Sequence, residues 1–232
     1  MPLIDDEKGS PTFFHVDFMI RSLTLAVPHF PMITTIFFDI GGVLLTDGWD
    51  HGSRVAAARH FNLDWEEYNE RHERVAKDIE LNLLSLEQYL DYAIFHRPRT
   101  FSREEFRAFV FAQSQPKPDS LAIAQELAES RRYLMATINN EILELNVYRL
   151  AEFGLRRYFS AFFSSCFLGL RKPNEAIYRV VLQIVQRSPE ECLFIDDREV
   201  NLEVPRKLGL RTIQFQDATA LRATFVEFGV AI

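Results

Sequence analysis

From Tyr133 onward the chain alternates short, nearly continuous apolar runs with longer amphipathic ones, and this alternation restricts the fold more than any other feature. The runs "YLMATI", "AFFSSCF", "CLFI" and "RTIQF" are separated by "EILELNVYRLAEFG", "PNEAIYRVVLQIVQ" and "EVNLEVPRKLG". The first set has the look of strands buried on both faces, and the second carries helical spacing. A strand that buries only one face keeps polar residues at every second position; these do not, so helices must cover the sheet on both sides. The pattern predicts an α/β, Rossmann-like fold with a parallel sheet. "ITTIFF", residues 33 to 38, supplies a further buried strand upstream.

Between that strand and the alternating region the periodicity is helical and charged, from Ser53 to about Phe111. Two helix starts carry reciprocal capping pairs, Ser85 with Gln88 and Ser102 with Glu105. Pro116 and Pro118 in "QPKP" close the block, and a proline also suits the first turn of the next helix, "DSLAIAQELAES". Residues 47–115 are therefore expected to form an inserted helical cap, with residues 32–46 and 116–232 as the core domain. Residues 1–31 fit this plan badly. "FFHVDFMIRSLTLAV" is apolar but too short and too interrupted by His15, Asp17 and Arg21 to span a bilayer. It follows the acidic "IDDEK", where a signal peptide would carry positive charge, and no small-residue cleavage site comes after it. The segment reads as an N-terminal extension: sequence upstream of a start at Met32, an additional strand, or an interaction arm.

At 232 residues and 47% hydrophobic composition the chain can bury a sizeable core. Its formal net charge of −7 disfavours nucleic acid and anionic membranes as partners, since both are bound through excess Lys and Arg. A small molecule is the expected partner, and a homo-oligomer is compatible with the composition. The two cysteines, Cys166 and Cys192, sit in apolar runs and read as reduced thiols of a cytoplasmic protein.

Four polar groups follow apolar strands: Asp39 after "ITTIFF"; Thr137, Asn139 and Asn140 at the end of "YLMATINN"; Arg171 and Lys172 after "FFSSCFLGL"; Asp196 and Asp197 after "CLFI". Strands of a parallel sheet share one carboxyl edge, where doubly wound folds place their ligands. Any one of these residues has a plainer use, because Asp and Asn cap helices and a lone lysine sits in solvated loops. Capping does not account for both Asp196 and Asp197. Adjacent carboxylates facing a third at Asp39 repel one another unless a cation lies between them, and hard oxygen ligands suit Mg²⁺. Lys172 precedes a helix, where a cation opposes the macrodipole but helps that terminus hold an anion.

"FFDIGGVLLTD", the Thr/Asn-rich strand end, "GLRKPNEAIYRVVLQ" and "LFIDDREVNLEVPRKLG" resemble, in order and spacing, the four motifs of the haloacid dehalogenase-like (HAD) hydrolases. The likeness runs over roughly residues 33 to 215, and the insertion is similar to that superfamily's helical cap. The resemblance implies a Mg²⁺-dependent phosphomonoesterase acting on a small phosphorylated metabolite. Asp39 would be the nucleophile that becomes an aspartyl-phosphate. Lys172 would offset the negative charge, while Thr137, Asn139, Asn140 and Gly41 would contact phosphate. Asp39, the Gly41 carbonyl and Asp197, with Asp196 directly or through water, would hold the metal.

The sequence departs from that pattern in three places. The usual Ser or Thr of the second motif is Ile138, with Thr137 one residue early, which shifts phosphate binding toward Asn139 and backbone N–H groups. Pro205 interrupts the helix of the fourth motif and removes the backbone bond to the Asn201 carbonyl. The chain resembles the branch of glucose-1-phosphate phosphatases and the N-terminal phosphatase-like part of epoxide hydrolases. The acid–base Asp expected two residues after the nucleophile is Gly41, as it is in the branch resembling glucose-1-phosphate phosphatases. Asp47 is the nearest carboxylate that could substitute. A catalytically impaired phosphate-binding or regulatory protein is the alternative. A 2-haloacid dehalogenase, which uses an Asp nucleophile without metal, is disfavoured by the Asp196–Asp197 pair.

Overall fold

The computed structural model describes residues 32–232; the extension at 1–31 lies outside the described residues. Strands β1 (Thr35–Phe38), β2 (Leu134–Asn139), β3 (Ala161–Ser164), β4 (Cys192–Asp196) and β5 (Arg211–Gln214) form one sheet, ordered β3-β2-β1-β4-β5. All four pairings are parallel. The α/β Rossmann-like architecture follows as the apolar runs require. β1 is central, with Phe38 level with Thr137 on one side and Ile195 on the other. The residues just past these three strand ends therefore share one edge.

Successive side chains of each strand enter opposite apolar layers. Ile36, Phe38, Met135, Leu193 and Ile195 pack on one face with residues of α5 (Pro118–Ser130) and α10 (Ala218–Glu227). Phe37, Ala136, Ile138, Phe163 and Phe194 pack on the other, beneath α8 (Glu175–Val185) and α9 (Glu199–Leu208). Ile138, the residue standing in for a motif hydroxyl, is fully buried in this second layer.

Four helices lie between β1 and α5: α1 (His51–His60), α2 (Trp65–Glu80), α3 (Leu86–Ala93) and α4 (Arg103–Ala112). They bury a separate cluster around Trp49, Tyr68, Leu90 and Phe106, joined by Ile142 and by Leu145 of α6 (Leu143–Glu152). Both sequence-predicted capping boxes are formed, on α3 and α4. α1 begins at His51, ahead of Ser53, because Asp50 caps it by accepting the Ser53 N–H at 2.7 Å. The chain leaves and re-enters the sheet domain side by side. Thr46 N–H donates to the Gln115 carbonyl at 2.8 Å, and Lys117 N–H donates to the Leu44 carbonyl at 2.9 Å.

One expected strand is shorter than its apolar run. β3 ends at Ser164, and Ser165–Leu168 form a helical turn, α7. Two buried serine hydroxyls explain the break: Ser164 Oγ donates to Asn139 at 2.8 Å and Ser165 Oγ to the Glu80 carbonyl at 2.7 Å, bonds that aim the chain away from the sheet. Among the described residues no helix is long and apolar enough to cross a membrane.

Candidate active site

β1 ends on Phe38, so Asp39 is the first residue past the central strand, anchored by its own N–H to the Ile195 carbonyl at 2.8 Å. Its carboxylate accepts the Ile40 N–H at 2.7 Å and pairs with Lys172 Nζ at 2.8 Å. The same ammonium reaches Asp196 Oδ2 at 2.6 Å. Burial works against the charge of Lys172, but Asp39 and Asp196 outweigh it and hold the ammonium above its usual range. Burial likewise raises the Asp39 carboxyl; Lys172 pulls it back and Asp196 pushes it up again.

Asp39, Asp196 and Asp197 each present an oxygen within 4.8 Å of the others. Their hydrogen bonding separates their roles. Asp196 Oδ1 accepts from Arg198 N–H and Asn201 Nδ2, both at 2.9 Å, while Oδ2 accepts from Lys172 and from Asn201 at 3.1 Å. A carboxylate oxygen has two lone pairs, so Asp196 is saturated by protein donors. Asp197 Oδ1, by contrast, is buried with no partner, and burial together with Asp196 and Asp47 raises its carboxyl. An orphaned buried carboxylate oxygen calls for a cation. Gly42 completes the cradle: its φ is +73° and a Cβ there would fall 2.4 Å from the Asp197 carboxyl. These residues fit a divalent metal, with Asp197 and Asp39 as open carboxylates and Asp196 as the group that orients them. Asp197 does not cap α9; the N-cap is Arg198.

The proline of the fourth motif is accommodated by a side chain. Pro205 lies inside α9, and the Asn201 carbonyl it leaves without a helical donor accepts from Tyr178 Oη at 2.8 Å. Tyr178, on α8, thus steadies Asn201, whose amide holds Asp196.

The residues expected to hold phosphate are placed differently from one another. Asn139 is closed into a buried ring, donating to Asn146 Oδ1 at 3.0 Å and accepting from Ser164 at 2.8 Å, with Asn146 donating to Ser164 at 3.1 Å. Thr137 is fully buried and its hydroxyl has no partner. Neither lines the cavity at the sheet edge. This corrects the expectation for Thr137 and Asn139 as phosphate ligands: the same-face spacing of i and i+2 turns both inward. Asn140 does line the cavity, but its amide is occupied with the backbone of Lys172, donating to the carbonyl at 3.0 Å and accepting from the N–H at 2.9 Å. It positions the lysine. Gly41 lines the cavity as well.

That cavity, about 620 Å³, lies between the strand ends and helices α1 and α2. Two features were not legible in the sequence. Glu141 and Arg149 form a buried pair at 2.5 Å, and Arg149 also donates to the Thr46 carbonyl, holding the first linker. Gly48 lets the chain pass them, since a Cβ there would stand 2.4 Å from Glu141 Oε2. Arg54 and His72 line the far wall. Asp47, singled out by proximity in sequence, lies beside position 41: a Cβ on Gly41 would be 3.5 Å from Asp47 Oδ1. Burial and Asp50 raise the Asp47 carboxyl.

The sequence matches the haloacid dehalogenase-like hydrolase family over residues 33–209, so the chain belongs to that family and is a hydrolase. Among named relatives, bifunctional epoxide hydrolase 2 of Sus scrofa is 39% identical over 69 residues, 29% of this chain and 12% of that protein. Flavin mononucleotide hydrolase 1 of Arabidopsis thaliana is 32% identical over 78 residues, 34% of this chain and 32% of that protein. The chain thus spans about a third or less of the length of these two relatives. A HAD family enzyme of Bacteroides thetaiotaomicron superposes with a TM-score of 0.72 at 20% identity, covering 83% of this chain and 99% of that one. Another structure of that enzyme, a complex with magnesium and inorganic phosphate, gives a TM-score of 0.67 at 19% identity, covering 82% and 98%.

Proposed function

We propose that this hydrolase is a Mg²⁺-dependent phosphomonoesterase that transfers the phosphoryl group of a small metabolite to Asp39. The observation that carries the reading is the Asp39 carboxylate held at 2.8 Å by a buried ammonium, with an unpartnered carboxylate oxygen beside it. Names among the relatives agree, and the Bacteroides enzyme of the same fold has been seen with magnesium and phosphate. Asp39, Asp197 and the Gly41 carbonyl would hold the metal, with Asp196 behind them; bound there, Mg²⁺ supplies positive charge to the phosphoryl oxygens.

The chain's own groups do the rest. Lys172 keeps Asp39 aligned and meets negative charge on the phosphoryl group as it transfers. Asp39 attacks phosphorus, the ester oxygen leaves, and water then attacks the phosphorus of the aspartyl-phosphate to regenerate the carboxylate. Asp47 stands where the missing side chain at position 41 would project and is the candidate to protonate the leaving oxygen. It is also the first residue of the inserted helical segment, 47–115, which we assign as a cap over the site; the core domain is then 32–46 and 116–232.

Turnover of p-nitrophenyl phosphate with Mg²⁺, its loss in EDTA and its return on adding Mg²⁺ would test this reading. Ile138 and Gly41 favour one other outcome, a phosphate-binding protein with impaired turnover. That protein would bind phosphate and Mg²⁺ but release no nitrophenol.

A further inference from the structure

Asp196 is fully buried, and two of the hydrogen bonds that saturate it come from one amide, that of Asn201. The aim of that amide depends on the backbone of Asn201, in the first turn of α9. A helix ordinarily secures such a turn with the N–H four residues on, which donates to its carbonyl. Here that residue is Pro205, which has no N–H and whose ring crowds the carbonyl it faces.

Tyr178 brings the donor from α8. Its Oη lies 2.8 Å from the Asn201 carbonyl, and a carbonyl only accepts, so the direction of the bond is fixed. Tyr178 is buried; burial, with Asp196 and Asp39 nearby, raises its hydroxyl far above its ordinary value, so the bonding proton stays in place. The same side chain touches the second support of Asp196. Its ring packs on Phe194 with 6.0 Å between centroids, and the Lys172 ammonium, which bonds both Asp39 and Asp196, lies 5.5 Å from the centre of the Phe194 ring.

We propose that Tyr178 is a positioning residue of the metal site and that it has this role because residue 205 is proline; the inference rests on the metal-binding part of the phosphatase reading. Without the hydroxyl the Asn201 carbonyl is buried and short of a donor, and the turn tilts to find another. The amide then leaves Asp196, whose freed lone pairs compete for Lys172 and draw it from Asp39. Asp197 is the next residue in the chain, so its orphaned oxygen moves with Asp196. Alanine at 205 would restore the helical donor. A carbonyl has two lone pairs, so the Tyr178 bond would then be redundant, not displaced.

The test is Mg²⁺ calorimetry on the full chain, comparing wild type with Tyr178→Phe, Pro205→Ala and the double variant. Phenylalanine keeps the ring on Phe194 and removes only the oxygen. Tyr178→Phe is expected to weaken Mg²⁺ binding by about threefold to tenfold, the worth of one hydrogen bond. In the Pro205→Ala background the same change should cost about twofold or less. A residue that served only the fold would lower the urea midpoint in EDTA and leave the Mg²⁺ affinity of the folded protein where it was. Equal affinity in wild type and Tyr178→Phe, or the same loss in both backgrounds, would overturn the inference. Should Tyr178→Phe fail to fold, a double variant that folds and binds Mg²⁺ like Pro205→Ala supports the inference, and one that is also unfolded overturns it. The expected pattern in a protein that hydrolyses no phosphate ester would support the positioning role and refute the phosphatase reading alone; a wild type that binds no Mg²⁺ would refute both.

Discussion

Replacing Lys172 with Met removes a buried ammonium and leaves Asp39 and Asp196 facing one another. Oxygens of those two carboxylates lie within 4.8 Å; at that separation and an effective dielectric of about 20, two unit charges repel by roughly 3.5 kcal/mol or more. The figure falls within the ~3–5 kcal/mol typical of breaking a buried ion pair by removing one partner. For a chain of this size each kcal/mol shifts the melting temperature by roughly 2–4 °C, so a loss of about 6–20 °C is expected in EDTA. The deficit must also depend on pH. With the lysine in place, burial already holds the Asp39 carboxyl up at about 8, and without it the carboxyl rises further. Below that value both folded proteins keep the proton and share the same loss; above it only the folded variant still binds a proton that the unfolded chain has released, so its stability alone keeps falling as pH rises. The variant should thus be most impaired at about pH 9 and less so at about pH 6. Urea unfolding of both proteins at the two pH values, in EDTA, measures this directly. A deficit under about 1 kcal/mol at the higher pH, or one equal at both, would refute the account of Lys172 as the counterion of the two carboxylates.

Other consequences are independent of that one. His72 is held well below its usual 6.5 in the fold, so the unfolded chain binds the extra proton between about 3 and 6.5 and stability should drop as pH falls through that window; His72→Phe should flatten this limb of the melting profile. Gly42→Ala places a Cβ against Asp197 at a φ of +73°; it should cost about 1–2 kcal/mol of stability and weaken Mg²⁺ binding by calorimetry. Asp47→Asn should slow alkyl phosphates by about 10²–10⁴ and nitrophenyl phosphate little, steepening the dependence of rate on leaving-group pKa; an unchanged slope would exclude Asp47 as the acid.

The sheet could be read from the chain because strands buried on both faces abolish polar alternation, and the carboxyl edge then collected Asp39, Lys172, Asp196 and Asp197 without further information. What the alternation rule did not reach was the fate of Thr137 and Asn139. Both turn inward by strand periodicity, but the ring of Asn139 with Asn146 and Ser164 depends on β3 breaking at a serine pair inside an apolar run. The rescue of the Asn201 carbonyl by Tyr178 needs two helices that are neighbours only in space. Arg54 and His72 were illegible for the same reason: an arginine on α1 and a histidine on α2 read as solvated helix faces until the packing of those helices buries both beside the cavity.

The central claim is that phosphorus is transferred to Asp39. A single turnover with a phosphate ester carrying radiolabelled phosphorus, quenched in acid and digested, should place the label on the peptide containing Asp39 and nowhere in Asp39→Asn. Turnover that leaves no label on that peptide, or that persists in Asp39→Asn, would contradict it.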